Sequence, residues 1–208
     1  MNREPARFGL IRHAPTLWNR EKRIQGTDDS PLTDDGRHLA ENWGWRLAKS
    51  SFDRILASDL GRACQTAEKV NIALGVPIST TPGLREMDWG RWTGRTLKQI
   101  KTETRDRLSA MERMGWAFQP PGGERRGAVL ERARQALSEA ADTWPGQTIL
   151  VITHEGVIKA LIYGAYHRLY LPTEPRILKP GHLHWLKGRA GGISPTMLNA
   201  MDLNATIP

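Results

Sequence analysis

Two histidines, nearly the whole chain apart, each close a short apolar run. Phe8-Gly9-Leu10-Ile11 leads into Arg12-His13-Ala14, and Ile149-Leu150-Val151-Ile152-Thr153 leads into His154-Glu155-Gly156. Runs of this length and β-branched content, bounded by polar and Gly/Pro residues, read as strands covered on both faces. In open α/β sheets, ligands bind beyond the carboxyl ends of such strands. If both strands lie in one parallel sheet, His13, His154 and Arg12 meet in one crevice, where two imidazoles and a guanidinium suit an anion that can be attacked. Arg62 falls in the first turn of a helix after another short strand, again at a carboxyl end. Arginine meets phosphoryl oxygens bidentately with a charge it cannot lose, and the helix's first-turn N–H groups are expected to add to the positive field. A histidine among arginines is biased toward neutral imidazole, its nucleophilic form. His154 would hydrogen-bond the transferring oxygens. Glu86, in the loop Leu84-Arg85-Glu86-Met87-Asp88-Trp89-Gly90, is the candidate proton donor for the leaving alkoxide, with Asp88 and Glu124 as alternatives.

The elements that must position these residues alternate. Thr33 is an expected N-cap, with a helix from there to about Lys49. Asp53 to Ala57 reads as a strand. Ser58 and Asp59 are expected to cap the next helix, whose apolar stripe is Leu60, Ala63, Ala67, Val70 and Leu74 and which Gly75 ends. Further helices are expected over Thr96 to about Arg113, Arg126 to about Asp142, and through the stripe after His154. This βα alternation implies an α/β fold, a three-layer α/β/α arrangement with a mainly parallel central sheet. The chain reads as one domain over 1–208, with a lid-like excursion at about 89–123 over the sheet's edge. The stretch from Ala14 to Leu32 is a long polar loop of a kind that is usually functional. The tail after Gly191 is weakly patterned and expected to be mobile.

Composition narrows the class. With 208 residues, 39% apolar and 25% charged, the chain can bury one sizeable core, and disorder is excluded. Its single cysteine, Cys64, excludes an internal disulfide framework and suits a reducing, cytoplasmic setting. No apolar leader or membrane-length run is present. The net charge of +8 is spread along the chain, with no compact basic run beyond Arg125-Arg126, which favours a small phosphorylated substrate over nucleic acid or a membrane. Self-association into a homodimer is left open. His182 and His184 share one face of an expected strand but lack further ligands, so no metal or other cofactor is expected. His38 and His167 read as surface residues on helices. Trp43, Trp45 and Trp144 read as packing residues, while Trp89, Trp92 and Trp116 are candidates for an apolar part of the substrate pocket.

Four stretches carry a resemblance. Leu10-Ile11-Arg12-His13-Ala14-Pro15-Thr16-Leu17-Trp18-Asn19, with Arg23-Ile24-Gln25-Gly26, Asp29-Ser30-Pro31-Leu32-Thr33 and Gly36, resembles the opening of the histidine phosphatase superfamily in its phosphoglycerate mutase-like branch. Ala57-Ser58-Asp59-Leu60-Gly61-Arg62-Ala63-Cys64-Gln65-Thr66-Ala67, Leu84-Arg85-Glu86 with Trp89-Gly90, and Thr153-His154-Glu155-Gly156 are similar to its later motifs, in order, from about residue 7 to 166. The resemblance implies phosphorylation of His13, a phosphate pocket completed by Arg12, Arg62 and His154, proton donation by Glu86, and substrate contacts from Asn19, Gln25 and Gly26. Three departures stand out: Ala14 replaces the usual glycine after the nucleophile, Glu155 stands where glycine is common, and Gly123-Glu124-Arg125 lacks a serine that often follows Gly-Glu. The expected function is a metal-independent phosphomonoesterase acting through a phosphohistidine. The rivals are a mutase, disfavoured by the short excursion, and a non-catalytic basic module, which would need no nucleophile. Specificity is expected in the loops Ala14–Leu32 and Trp89–Gly123.

Overall fold

The computed structural model describes residues 4–189 and 192–205. Six strands form one mixed sheet in the order β3-β2-β4-β1-β5-β6. They are β1 (Ala6–Arg12), β2 (Arg54–Ser58), β3 (Ile78–Thr81), β4 (Thr148–Thr153), β5 (His182–Arg189) and β6 (Gly192–Asp202). The first four in that order are mutually parallel, and β5 and β6 add antiparallel at the β1 edge. The stretch after Gly191, expected to be mobile, is thus a strand. Its ladder with β5 orders it where side-chain pattern gave no signal, since a half-exposed edge strand needs little apolar alternation.

Period-two alternation along the central strands sorts the core to two faces. Phe8, Leu10, Ile149 and Val151 point into one buried cluster, and Ile11, Leu150 and Ile152 into the other. The second face is covered by α2 (Asp34–Leu47) and α3 (Gly61–Leu74), which supply Ala40, Trp43, Ala63, Ala67 and Val70. The first is covered by α5 (Arg126–Thr143) and α6 (Glu155–Ala165) through Val129, Leu137, Val157 and Leu161. The result is the expected three-layer α/β/α fold. Thr33 caps α2 by accepting the Gly36 N–H at 2.9 Å.

The excursion contains α4 (Leu97–Glu112), begun by a Thr96/Gln99 capping box and broken at Thr104. Ile100, Leu108, Trp92 and Phe118 from this excursion join the same buried cluster as α5 and α6. The loop from Ala14 to Leu32 is not wholly irregular, because a four-residue helix, α1 (Leu17–Arg20), interrupts it behind its own Thr16/Asn19 capping box. Two minor expectations differ. Trp45 is 60% exposed, as the helix phase that buries Trp43 must turn residue 45 outward. His167 lies beyond α6 in a left-handed turn, at φ 53°, and not on a helix.

Candidate active site

Four parallel strands deliver the chemistry to one edge. β1 and β4 are neighbours with Arg12 opposite Thr153, so the next residues, His13 and His154, emerge side by side with ring centroids 5.2 Å apart. β2 ends at Ser58, from which the chain enters α3 with Arg62 in its first turn. β3 leads through a short 3-10 turn to Glu86.

His13 is buried, and its Nδ1 hydrogen bonds to the carbonyl of Ala14 at 2.8 Å. A carbonyl only accepts, so the ring proton is fixed on Nδ1 and the lone pair is left on Nε2. Burial, then Arg12 and Arg62, hold the imidazole well below its ordinary pKa, so it is neutral. Ala14 causes no disturbance. Its N–H donates to Thr66 Oγ1 at 3.0 Å and its methyl is buried beneath α2 and α3. His154 lies 2.9 Å from Ser58 Oγ through Nε2, and that hydroxyl already accepts the Leu60 N–H at 3.3 Å. In the tautomer in which the serine gives its hydrogen to Nε2, the His154 proton lies on Nδ1. That Nδ1 is buried without a partner among the described residues. Burial, His13 and the arginines keep this ring neutral as well.

Arg62 is almost fully buried. It donates through Nη1 to the Asp28 carbonyl at 2.7 Å and to Asp29 Oδ1 at 3.0 Å, and through Nη2 to the Gly26 carbonyl at 2.7 Å. Its Nε has no partner among the described residues. Two buried nitrogens, Arg62 Nε, always a donor, and His154 Nδ1, a donor when the proton lies there, are therefore unpaired among the described residues. Such groups are costly, and an acceptor bound between them would satisfy both. Arg12 meets Glu155 at 2.8 Å, both partly exposed, a pairing weak enough for an incoming anion to replace.

Glu86 is half-buried. Its carboxylate accepts the Met87 N–H at 2.8 Å through Oε1 and the Gly156 N–H at 3.2 Å through Oε2. Burial pushes its pKa up, against those hydrogen bonds and the charges of Arg12 and Arg62. The alternatives are otherwise engaged. Glu124 forms a bidentate pair with Arg132 at 2.8 and 2.9 Å, and Asp88 accepts the Gly90 N–H at 2.7 Å. Arg85 pairs with Asp59, leaving Glu86 free of it.

Other expectations are redistributed. Ser58 and Asp59 do not cap α3. Asp29, reaching from the long loop, accepts the Gly61 N–H at 2.6 Å and the Arg62 N–H at 3.2 Å, so that helix end is already neutralised and lends no free N–H to a phosphate. Asn19 lines the cavity beside His13. Gln25 and Gly26 do not. Gln25 Oε1 accepts from Thr16 Oγ1 at 3.0 Å, and Gly26, at φ 56°, turns its carbonyl to Arg62. Trp89, Trp92 and Trp116 line no part of the cavity. Trp89 and Trp92 pack on Phe118, and Trp116 lies edge-on to Tyr170, because aromatic rings on a sheet-facing segment bury in the core. The cavity, about 440 Å³, is walled instead by α6, the chain between α6 and β5, and Leu203–Asn204. Among the described residues no three metal-ligating side chains converge.

Several participants escaped sequence reasoning. Asp29 and Ser58 act through Arg62 and His154. Arg132 holds the Glu86 loop by donating to the carbonyls of Gly83 and Glu86 at 2.9 and 3.2 Å. No spacing rule links residues so far apart.

The model of the histidine phosphatase superfamily, branch 1, matches residues 8–200. The chain belongs to that superfamily. It is similar to the curated "Probable phosphoglycerate mutase GpmB" of Cronobacter sakazakii, 36% identical over 162 residues that cover 74% of this chain and 71% of that one. The GpmB of Erwinia tasmaniensis is 34% identical over 158 residues, covering 74% of each. Among solved structures, Bacillus stearothermophilus YhfR aligns with a TM-score of 0.85 and 30% identity, over 95% of this chain and 98% of that one. A mycobacterial glucosyl-3-phosphoglycerate phosphatase in complex with VO3 aligns at 0.80 with 27% identity, over 92% and 96%. The alpha-ribazole phosphatase of Shigella flexneri aligns at 0.76 with 27% identity, over 97% and 100%. Superfamily and relatives together make the protein a phosphatase or mutase enzyme. No described helix is long and apolar enough to cross a membrane.

Proposed function

We propose that the protein is a phosphomonoesterase of small phosphorylated metabolites that works through a phosphohistidine at His13. The observation that carries this reading is the pairing of a free Nε2 lone pair on neutral His13 with two buried nitrogens unpaired among the described residues, Arg62 Nε and His154 Nδ1, the second taken here with its proton on Nδ1. In the first step His13 Nε2 attacks phosphorus, the N–P bond forms and the ester P–O bond breaks. Arg12, Arg62 and His154 bind the equatorial oxygens, where charge is best stabilised in the transition state. Glu86 in its acid form gives its proton to the leaving alkoxide, which its raised pKa favours. In the second step a water loses its proton to Glu86 and attacks phosphorus, the N–P bond breaks, and neutral His13 and inorganic phosphate result. The arginines supply the positive charge, so the reading needs no metal. The enzyme is expected to act on its small phosphorylated substrate in the cytoplasm, without nucleic acid or a membrane.

Water is expected to win over a second substrate hydroxyl, because residues that line the cavity, Arg176, Lys179 and Pro180, are exposed to solvent. The phosphatases among the similar structures support this hydrolytic outcome. The mutase reading is kept because the curated relatives carry that name. Phosphorus NMR on a panel of alkyl phosphates separates the two. Release of inorganic phosphate with no isomerised ester supports the hydrolase, and isomer formation without phosphate release overturns it.

A further inference from the structure

One wall of the cavity beside His13 belongs to no regular element. α6 ends at Ala165 and β5 begins at His182, and Arg176, Leu178, Lys179, Pro180 and Gly181 of the chain between them line the cavity. This wall is fastened at both ends. Arg168 donates to the Pro175 carbonyl at 2.7 Å, and the Gly181 carbonyl accepts the Leu203 N–H at 2.9 Å. In between, over residues 176–179, the only hydrogen bonds among the described residues are made with one side chain. Asn199 donates through Nδ2 to the Ile177 carbonyl at 2.9 Å and accepts the Lys179 N–H through Oδ1 at 2.8 Å. Ile177 and Leu178 also pack on the core, but apolar packing has no direction and does not fix where a backbone sits along its own path.

Two features set Asn199 in turn. Between the pairs Leu183–Met201 and Trp185–Met197, the single residue His184 of β5 faces Leu198, Asn199 and Ala200 of β6, so the edge strand bulges with Asn199 at its centre. Asn199 has φ 53°, in the left-handed region that asparagine tolerates better than most residues. Its N–H donates to His184 Nδ1 at 3.1 Å. His184 is buried, and burial, then His182, push its pKa down to about 4, so the ring is neutral and keeps an acceptor at Nδ1. Bulges beside active sites re-aim side chains. Asn199 lines no part of the cavity itself, and phosphoryl transfer to His13 uses neither residue.

We infer that Asn199, held by His184 at the β6 bulge, is a positioning residue that sets the wall at 176–181 against which the leaving group of an ester rests. With the phosphoryl group at His13, the rest of the ester occupies the cavity that this wall bounds. For turnover, this rests on the phosphatase reading above.

Asn199→Gly tests it, because glycine keeps the left-handed φ without strain and removes only the side-chain bonds. With phenyl phosphate, KM should rise about tenfold, as the loss of two hydrogen bonds gives, while kcat holds within about twofold. Methyl phosphate and vanadate fill the phosphoryl pocket and reach little further, so their KM and Ki should move by less than about twofold. His184→Leu should reproduce the pattern, and Asn199→Asp, which keeps the acceptor for Lys179, should recover part of the KM. The Lys179 amide hydrogen should exchange about tenfold faster in Asn199→Gly. An unchanged KM for phenyl phosphate, an unchanged Lys179 exchange rate, or an equal loss with phenyl phosphate and vanadate overturns the positioning role while leaving the phosphatase intact. Calorimetry with phenylphosphonate against methylphosphonate reads the wall without turnover. A wild-type preference for the phenyl compound that shrinks in Asn199→Gly upholds the role even if no ester is hydrolysed, an outcome that would instead remove the phosphatase reading. The same binding ratio in both proteins overturns it.

Discussion

Adding one methyl group at residue 156 displaces the proton donor without changing its chemical identity. A Cβ built on Gly156 overlaps Glu86 Oε1 and lies 3.2 Å from its Cδ, inside ordinary contact distance. The helix backbone of α6 cannot retreat, since Gly156 sits between buried His154 and Val157. Glu86 must therefore give way, by about 1 Å, and lose the alignment of its Gly156 N–H bond. A displacement of that size at a reacting group costs about a hundredfold. The loss falls on substrates whose leaving group needs a proton, because p-nitrophenolate departs without much help. Gly156→Ala should thus lower kcat on an alkyl phosphate about a hundredfold while lowering it on p-nitrophenyl phosphate less than about tenfold. Stability should change little, because alanine favours the helix by about 1 kcal/mol and offsets part of the crowding. Glu86→Gln should show the same split between substrates. Equal losses on both substrates, or no loss on either, would refute the assignment of Glu86 and the steric reasoning together.

Further outcomes follow from the same geometry. Arg62→Ala should lose both activity and stability, about a hundredfold or more in kcat/KM and about 2–4 kcal/mol in urea unfolding, because its guanidinium also ties down residues 26, 28 and 29. An unchanged unfolding midpoint would contradict that double role. His13 and His154 stay neutral in the fold well below the ordinary imidazole value of 6.5, whereas the unfolded chain takes up protons there. Their contribution to stability is therefore complete above about pH 6.5 and is lost as pH falls below it. His154→Asn should flatten the acid side of a Tm-against-pH curve, and an unaltered curve would refute the linkage. Activity should survive dialysis against EDTA, and vanadate should inhibit competitively; turnover abolished by chelation and restored by a divalent ion would overturn the metal-free account.

What the sequence made legible was whatever a strand end decides. His13 and His154 follow apolar runs whose parallel pairing could be anticipated, and the register of Arg12 with Thr153 then brings them together. Arg62 and Glu86 were legible for the same reason, each lying just past a short strand. Contacts made across the fold by polar side chains left no periodic trace. Asp29 caps α3 from a loop, and Ser58, placed by spacing as a cap, serves mainly to orient His154. The tryptophans misled because aromatic content signals burial as readily as ligand contact. The cavity wall from Arg176 to Gly181 went unnoticed because it belongs to no regular element. Strand β6 was missed because its residues are half-exposed, and edge pairing, not hydrophobic pattern, fixes it.

The central claim is that His13 carries the phosphoryl group, and trapping that group tests it most directly. Enzyme mixed with an alkyl phosphate, quenched in alkali to preserve the acid-labile N–P bond and digested with trypsin, should yield one phosphorylated peptide, residues 13–20, whose only histidine is His13. The label should vanish on a chase in buffer and be absent from His13→Ala. A phosphoryl group found instead on the peptide that contains His154, or steady turnover with no phosphorylated peptide and full activity in His13→Ala, would contradict the account.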